Sequence, residues 1–197
     1  MSDFKYEVED GQVTVTDYTG AGGDVIVPSM IDGFPVICIG DNAFCYCTGL
    51  TSITLPEGCT TIGYYAFSGC TGLTSINIPE GCNIGDSAFA DCTSLTSVTL
   101  GNSITTIGDR AFSYCDGLTR ITLPDSVTDI GDSAFRGCTK LTSITLPNSI
   151  TTIKYSAFGY CTGLTSITLP NSVTTIGQGA FADCPATITI RDKEDKQ

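Results

Sequence analysis

Cysteine carries most of the chemical capacity of this sequence: 11 of its 197 residues are Cys, while His and Trp are absent. Seven of the thiols form one series, Cys47, Cys70, Cys92, Cys115, Cys138, Cys161 and Cys184. Such a file could hold metal, form a ladder of disulfides, or pack as small buried side chains. If it stacks at the ~4.8 Å spacing of neighbouring strands, the Cα atoms fall within disulfide range. The parallel Cβ atoms would then also stand about 4.8 Å apart, beyond the usual limit. Buried free thiols are therefore expected. Cys59 and Cys82 make a shorter series and Cys45 stands two residues before Cys47. These are expected to be more exposed, with a disulfide left open. Asp41, Asp86, Asp109 and Asp132 also recur in register. Clustered carboxylates suit calcium, but a helix-capping role, each accepting a backbone N–H, is the simpler expectation. Without His the usual general base and commonest metal ligand are missing. No Ser has an evident base, and no glycine-rich loop opens a helix as a phosphate cradle. The residues point to no enzyme, no cofactor and no metal.

The elements that position these residues come from an internal repeat. Ala-Phe recurs at Ala43-Phe44, Ala66-Phe67, Ala88-Phe89, Ala111-Phe112, Ala134-Phe135, Ala157-Phe158 and Ala180-Phe181, every 23 residues except for one interval of 22. We number the coils 1–7 by these pairs. In the unit beginning at Leu141, Ser143-Ile-Thr-Leu146 alternates as a half-buried strand should. Pro147 ends it, lacking an N–H for the ladder. Thr151-Thr152-Ile153 predicts a second short extended run, and Ser156 to Cys161 a short helical turn. One coil cannot bury its apolar face, but stacked coils share a continuous core.

The pattern Leu-x-x-Ile-x-Leu-Pro-x-x-Ile-x-x-Ile-Gly-x-x-Ala-Phe-x-x-Cys, carried throughout by Leu118 to Cys138, resembles the BspA-like class of bacterial leucine-rich repeats. Departures are local: Gly101 stands where other coils have Pro, Lys154 and Gln178-Gly179 alter the Ile-Gly-Asp turn, and one coil is a residue short. They mark places where the surface differs. The expected fold is an α/β repeat, a leucine-rich-repeat solenoid with one parallel sheet on the concave face and short helical turns on the other side. Residues 1–21 are expected to form a β-hairpin cap turning at Asp10-Gly11 and covering the first coil, whose strand is Asp24 to Val27. A longer loop is expected through Ile31 to Pro35. The solenoid is expected over 22–190, as seven Ala-Phe coils and a final strand, and 191–197 as a charged tail. The resemblance implies a surface or secreted protein associated with adhesion to host or matrix proteins. The N-terminus lacks the build of a secretion signal, which leaves an intracellular chain, or one beginning after a removed signal, both open.

A formal net charge of −12 disfavours nucleic acid, whose phosphates need Lys and Arg, and anionic membrane surfaces. No apolar run approaches the ~20 residues of a membrane span. A protein or glycan is the expected partner. The outward strand positions are Ser52, Thr54, Ser75, Asn77, Ser97, Thr99, Arg120, Thr122, Ser143, Thr145, Ser166 and Thr168. β-branched Thr suits exposed strands without any ligand, so the interruptions Asn77 and Arg120 are the more telling residues. Tyr46, Tyr114 and Tyr160 share a loop position with Gly69, Asp91, Gly137 and Asp183, while Tyr64, Tyr65 and Tyr155 cluster nearby. Tyrosine is common in binding hot spots. A structural spacer within a larger surface protein is the alternative. The Thr ranks also admit recognition of ice or a crystalline polysaccharide.

Overall fold

The computed structural model describes residues 3–191, so the expected tail, Arg191 apart, lies outside the described residues. β1 (Phe4–Glu9) and β2 (Gln12–Tyr18) form the N-terminal hairpin. Asp10 and Gly11 both take positive φ, 49° and 72°, as a two-residue hairpin loop of this hand requires. β3 (Gly23–Ile26) is followed by β4 (Met30–Ile31) and β5 (Phe34–Ile39). The loop expected through Ile31 to Pro35 is instead a second hairpin: β4 and β5 pair antiparallel across Asp32-Gly33, again with both φ positive.

Each later coil contributes one longer and one shorter strand. The longer are β6 (Leu50–Thr54), β8 (Ser75–Ile78), β10 (Ser97–Leu100), β12 (Arg120–Thr122), β14 (Ser143–Thr145), β16 (Ser166–Leu169) and β18 (Thr187–Ile190). The shorter are β7 (Thr61–Ile62), β9 (Asn83–Ile84), β11 (Thr106–Ile107), β13 (Asp129–Ile130), β15 (Thr152–Ile153) and β17 (Thr175–Ile176). The long strands stack in parallel as β3-β6-β8-β10 and, after a seam, β12-β14-β16-β18. The short strands stack as β5-β7-β9-β11-β13 and, after a second seam, β15-β17. The single sheet expected is therefore two interrupted ranks. The hairpin meets the first coil through the short rank, with β2 parallel to β5.

The helical turns expected around each Ala-Phe pair are absent: no helix occurs among the described residues. The hydrogen bonds give the reason. Ala43, Cys45 and Cys47 donate back three residues, to Gly40, Asn42 and Phe44. The N–H groups between them, of Asn42, Phe44 and Tyr46, donate at 2.7–2.9 Å to Tyr64, Ala66 and Ser68 of the next coil. With alternate donors committed to stacking, the i→i−4 pattern of an α-helix cannot form. The alternation is accommodated by two left-handed residues per coil, one before Ala and one two after Phe.

The interior is a file of rings. Phe44 to Phe158 are fully buried, and successive centroids through Phe181 are 5.0–5.6 Å apart. Tyr18 and Phe4 close the N-terminal end over Phe44. At the other end Ile176, Ile188 and Ile190 remain exposed and Phe181 is half-buried, because no described coil follows.

Both seams fall where the repeat departs from itself. Gly40, Gly63, Gly85, Gly108, Gly131 and Gly177 share a column in which a Cβ would press on the coil before; at Gly108 it would stand 2.7 Å from the Gly85 carbonyl carbon. Lys154 brings a Cβ to this column, and the short rank is interrupted there, between β13 and β15. Lys154 Nζ meets Asp129 at 2.8 Å across the break. Gly101, in place of Pro, has an N–H and donates it to Ile78 at 3.0 Å. The long rank opens on its other side, between β10 and β12. Gly108→Ala is accordingly expected to destabilise the chain by about 1–3 kcal/mol, as overpacking does. Urea unfolding would measure it, and an unchanged midpoint would show that the column yields freely.

Candidate functional site

Outward side chains of the long strands make one polar surface. Ser52 is half-buried; Thr54, Ser75, Asn77, Ser97, Thr99, Arg120, Thr122, Ser143, Thr145, Ser166 and Thr168 are exposed. Parallel pairing in register sets equivalent positions side by side, as in Arg120–Ser143 and Thr122–Thr145. Near the N-terminal end Ser52 and Thr51 donate to Asp24 Oδ1 at 2.7 and 3.0 Å, which holds the Asp24 carboxyl below its usual range. At the β10–β12 seam lies a groove of about 680 Å³, with Ser97, Thr99, Asn102, Arg120, Thr122 and Pro124 in its lining. Arg120 makes no ion pair among the described residues. A second groove of about 500 Å³ is lined by Ser143, Thr145, Ser166, Thr168 and Arg191 among others.

The tyrosines stand elsewhere, on the turn between short and long strands, and neither strand-face groove has a tyrosine in its lining. Tyr46, Tyr114 and Tyr160 are 75, 44 and 41% exposed, and all have φ near 60°. Tyr65, at φ 55°, occupies the other left-handed column. A left-handed backbone costs a bulky residue about 1–2 kcal/mol, and mostly exposed rings offer little burial to offset it. Glycine packs beneath two of them. A Cβ at Gly69 would fall 2.4 Å from the Tyr46 ring and one at Gly137 2.5 Å from Tyr114. Arg136 ties the later pair together, its Nε 3.2 Å from the Tyr114 hydroxyl and its guanidinium 4.4 Å from the Tyr160 ring centroid. Tyr64 and Tyr155 are exposed at the position that is Asp in other coils.

The Asp column accepts backbone N–H groups as expected, but from the following coil. Asp41 takes the N–H of Tyr64, Asp86 of Asp109, Asp109 of Asp132 and Asp132 of Tyr155, at 2.8–3.0 Å. These carboxylates cap the stack, there being no helix to cap. Among the described residues no group of three His, Cys, Asp or Glu is placed to hold a metal ion.

All 11 cysteines are free. In the long column Cys70, Cys92, Cys115, Cys138 and Cys161 are fully buried, and each thiol donates at 3.0–3.1 Å to a Phe carbonyl of the preceding coil. Burial pushes Cys70 and Cys161 up to about 12 and the three between them well above the usual thiol range. Cys47 and Cys184, at the ends, are half-buried. Cys59 and Cys82 are buried, against expectation, and half-buried Cys38, paired in register with Thr61, stands near enough to act on both. The spacing hides this neighbour because Cys38 is two residues out of register with Cys59. The Cys82 thiol donates to Cys59, and this bond, then burial, raises Cys82. Among the described residues no helix is long and apolar enough to cross a membrane.

Known proteins place this architecture. The model of the BspA type leucine rich repeat region matches residues 34–141 and 82–194, with six copies. The crystal structure of a leucine-rich repeat protein from T. pallidum is similar at 36% identity and TM-score 0.89, over 93% of this chain and 87% of that one. One from Bacteroides ovatus has 32% identity and TM-score 0.87, over 98% of this chain and 52% of the other. One from Eubacterium ventriosum has 26% identity and TM-score 0.75, over 97% and 52%. A search of curated proteins finds no match. No catalytic family is indicated; the matches are to a non-enzymatic scaffold of the kind that mediates protein interaction. With the repeat, the ring file and the matched region in agreement, the chain belongs to the family of BspA-type leucine-rich repeat proteins.

Proposed function

We propose that this chain is a non-catalytic interaction module of the bacterial surface or its surroundings, taking a protein or glycan partner on the long-strand sheet. The observation that carries the reading is the seam groove. An unpaired guanidinium stands there among hydroxyl and amide groups, on a surface otherwise lined by repeated Ser and Thr. Those side chains offer convergent donors and acceptors, and an interruption of the repeat is where a specific contact has a distinct residue to use. Arg is also among the residues enriched at binding hot spots.

The test is a glycan array and a host-protein panel probed with the purified chain and with Arg120→Glu. Arg120 is exposed and unpaired, so the variant should melt within about 1 °C of the parent, as surface changes generally do. Its best complex should weaken by about tenfold or more, the range of a lost charge-assisted contact. Unaltered affinity would remove the seam from the site. The uncovered apolar ends Ile176, Ile188 and Ile190 support a second reading, a spacer whose last coil packs on flanking sequence. That reading predicts no affinity for any soluble partner on either panel.

A further inference from the structure

We propose that the turn face of coils 1–4 is a separate binding site, a trough that takes an unbranched, uncharged β-1,4-linked polysaccharide lying along the solenoid axis. It goes beyond the sheet-face reading and does not rest on it. The trough has a volume of about 500 Å³, with Tyr46, Asp91 and Tyr114 along one left-handed column and Tyr65 and Arg110 along the other. Between the two columns lie Ser68 and Ser113, both nearly buried.

Folding does not call for these tyrosines. The column of Tyr46, Tyr114 and Tyr160 holds Gly69, Asp91, Gly137 and Asp183 in other coils, and the column of Tyr65 and Arg110 holds Asn42, Ser87, Ser133, Ser156 and Gly179. Small or amide side chains suit positive φ, yet here bulky rings are held there with 44–75% of their surface in water. Strained backbone that gains little burial points to a function outside the fold.

The chemistry selects the occupant. Exposed phenol rings accept the apolar C–H faces of pyranose rings, and Asp91 and Arg110 can respectively accept and donate hydrogen bonds to sugar hydroxyls. One acid and one base leave the trough without net charge, while the −12 chain repels polyanions. Successive coils are spaced 5.0–5.3 Å here, as the rings of Phe44, Phe67, Phe89 and Phe112 show. An extended β-1,4 chain advances by a similar distance per sugar, so one residue falls on each coil. Tyr46 and Tyr114 are three coils apart, so only a tetrasaccharide or longer engages both. Beyond coil 4 Arg136 lies over the Tyr160 ring and touches Tyr114 only at its hydroxyl, so the trough ends with the free face of Tyr114.

The probes are cellohexaose, chitohexaose and xylohexaose, their disaccharides, and a proline-rich decapeptide, titrated by calorimetry and by tyrosine emission, which no Trp obscures. At least one hexasaccharide is expected to bind, with its disaccharide at least ~10-fold weaker. The triple variant Tyr46→Gly, Tyr65→Gly, Tyr114→Gly should lose ~10-fold or more in affinity and melt no lower than the parent, because glycine relieves the left-handed positions. Arg120→Glu should leave this affinity unchanged. If the triple variant melts lower, Tyr46→Asp, which copies Asp91 of the same column, gives the same reading by its loss of affinity. Failure of all three hexasaccharides overturns the proposal, and so does hexasaccharide binding indifferent to the tyrosines. Loss with Arg120→Glu alone would assign the sugar to the sheet face, and binding of the decapeptide alone would make the trough a peptide groove.

Discussion

At pH 9.5, in the presence of reductant, the chain is expected to have lost roughly 7 kcal/mol of its neutral-pH stability, about 1.4 kcal/mol for each of five column thiols. Cys70, Cys92, Cys115, Cys138 and Cys161 all titrate in the folded chain far above the ordinary thiol, Cys70 and Cys161 at about 12. In the unfolded chain they return to about 8.5. Above that pH the unfolded chain sheds protons that the folded chain retains, so stability falls as pH rises. It is fully present below about 8.5 and is lost progressively as pH rises toward the much higher folded values. Against a typical total of about 5–15 kcal/mol, such a loss brings unfolding near pH 9.5–10. Urea midpoints measured from pH 7 to 10 would show it. Cys115→Ser removes one titrating group, so its stability should fall about one-fifth less steeply. A midpoint constant between pH 8 and 10 would mean that these thiols ionise in place, and that the buried file described here is wrong.

Phe112→Ala should destabilise the chain by about 3–5 kcal/mol, the range for emptying a large aromatic from a core. Phe112 is fully buried and stacks on Phe89 and Phe135 at 5.3 and 5.6 Å, so the loss falls on two coil interfaces together. In a chain of this size the melting temperature should drop on the order of 10 °C. Phe181→Ala is the internal comparison: that ring has one stacking neighbour and is half-buried, so its loss should be clearly smaller. Equal effects at the two sites would contradict a core whose stability is carried from coil to coil.

Two outward surfaces, each with its own interruption, emerge from one repeated unit. The long-strand face opens at a seam beside Gly101 and presents Arg120 there. The turn face carries tyrosines at backbone positions that glycine or aspartate would occupy without strain. Neither departure disturbs the interior, where Ala, Phe and Cys continue through both seams. A solenoid can vary its exterior in this way because each coil needs only its neighbours' buried faces.

The recurrence of Ala-Phe, Ile and Cys was enough to establish the stacking, the buried ring and thiol files, the strand positions and the outward Ser/Thr rows. In a repeat every equivalent residue meets its own kind, so spacing alone determines who touches whom. Asp10-Gly11 likewise announced a hairpin turn, whereas Asp32-Gly33, within an expected longer loop, forms a second hairpin that spacing did not reveal. What the tertiary structure alone decided was where backbone hydrogen bonds go. Ser156 to Cys161 has apolar spacing compatible with a helix, yet Ser156, Phe158 and Tyr160 donate to the next coil, and so the turn takes left-handed residues instead. The two seams were decided in the same way. Gly101 and Lys154 are visible as substitutions, but whether an added N–H or Cβ closes or parts a ladder depends on a gap of a few ångströms between coils, which is set only when the whole stack is assembled.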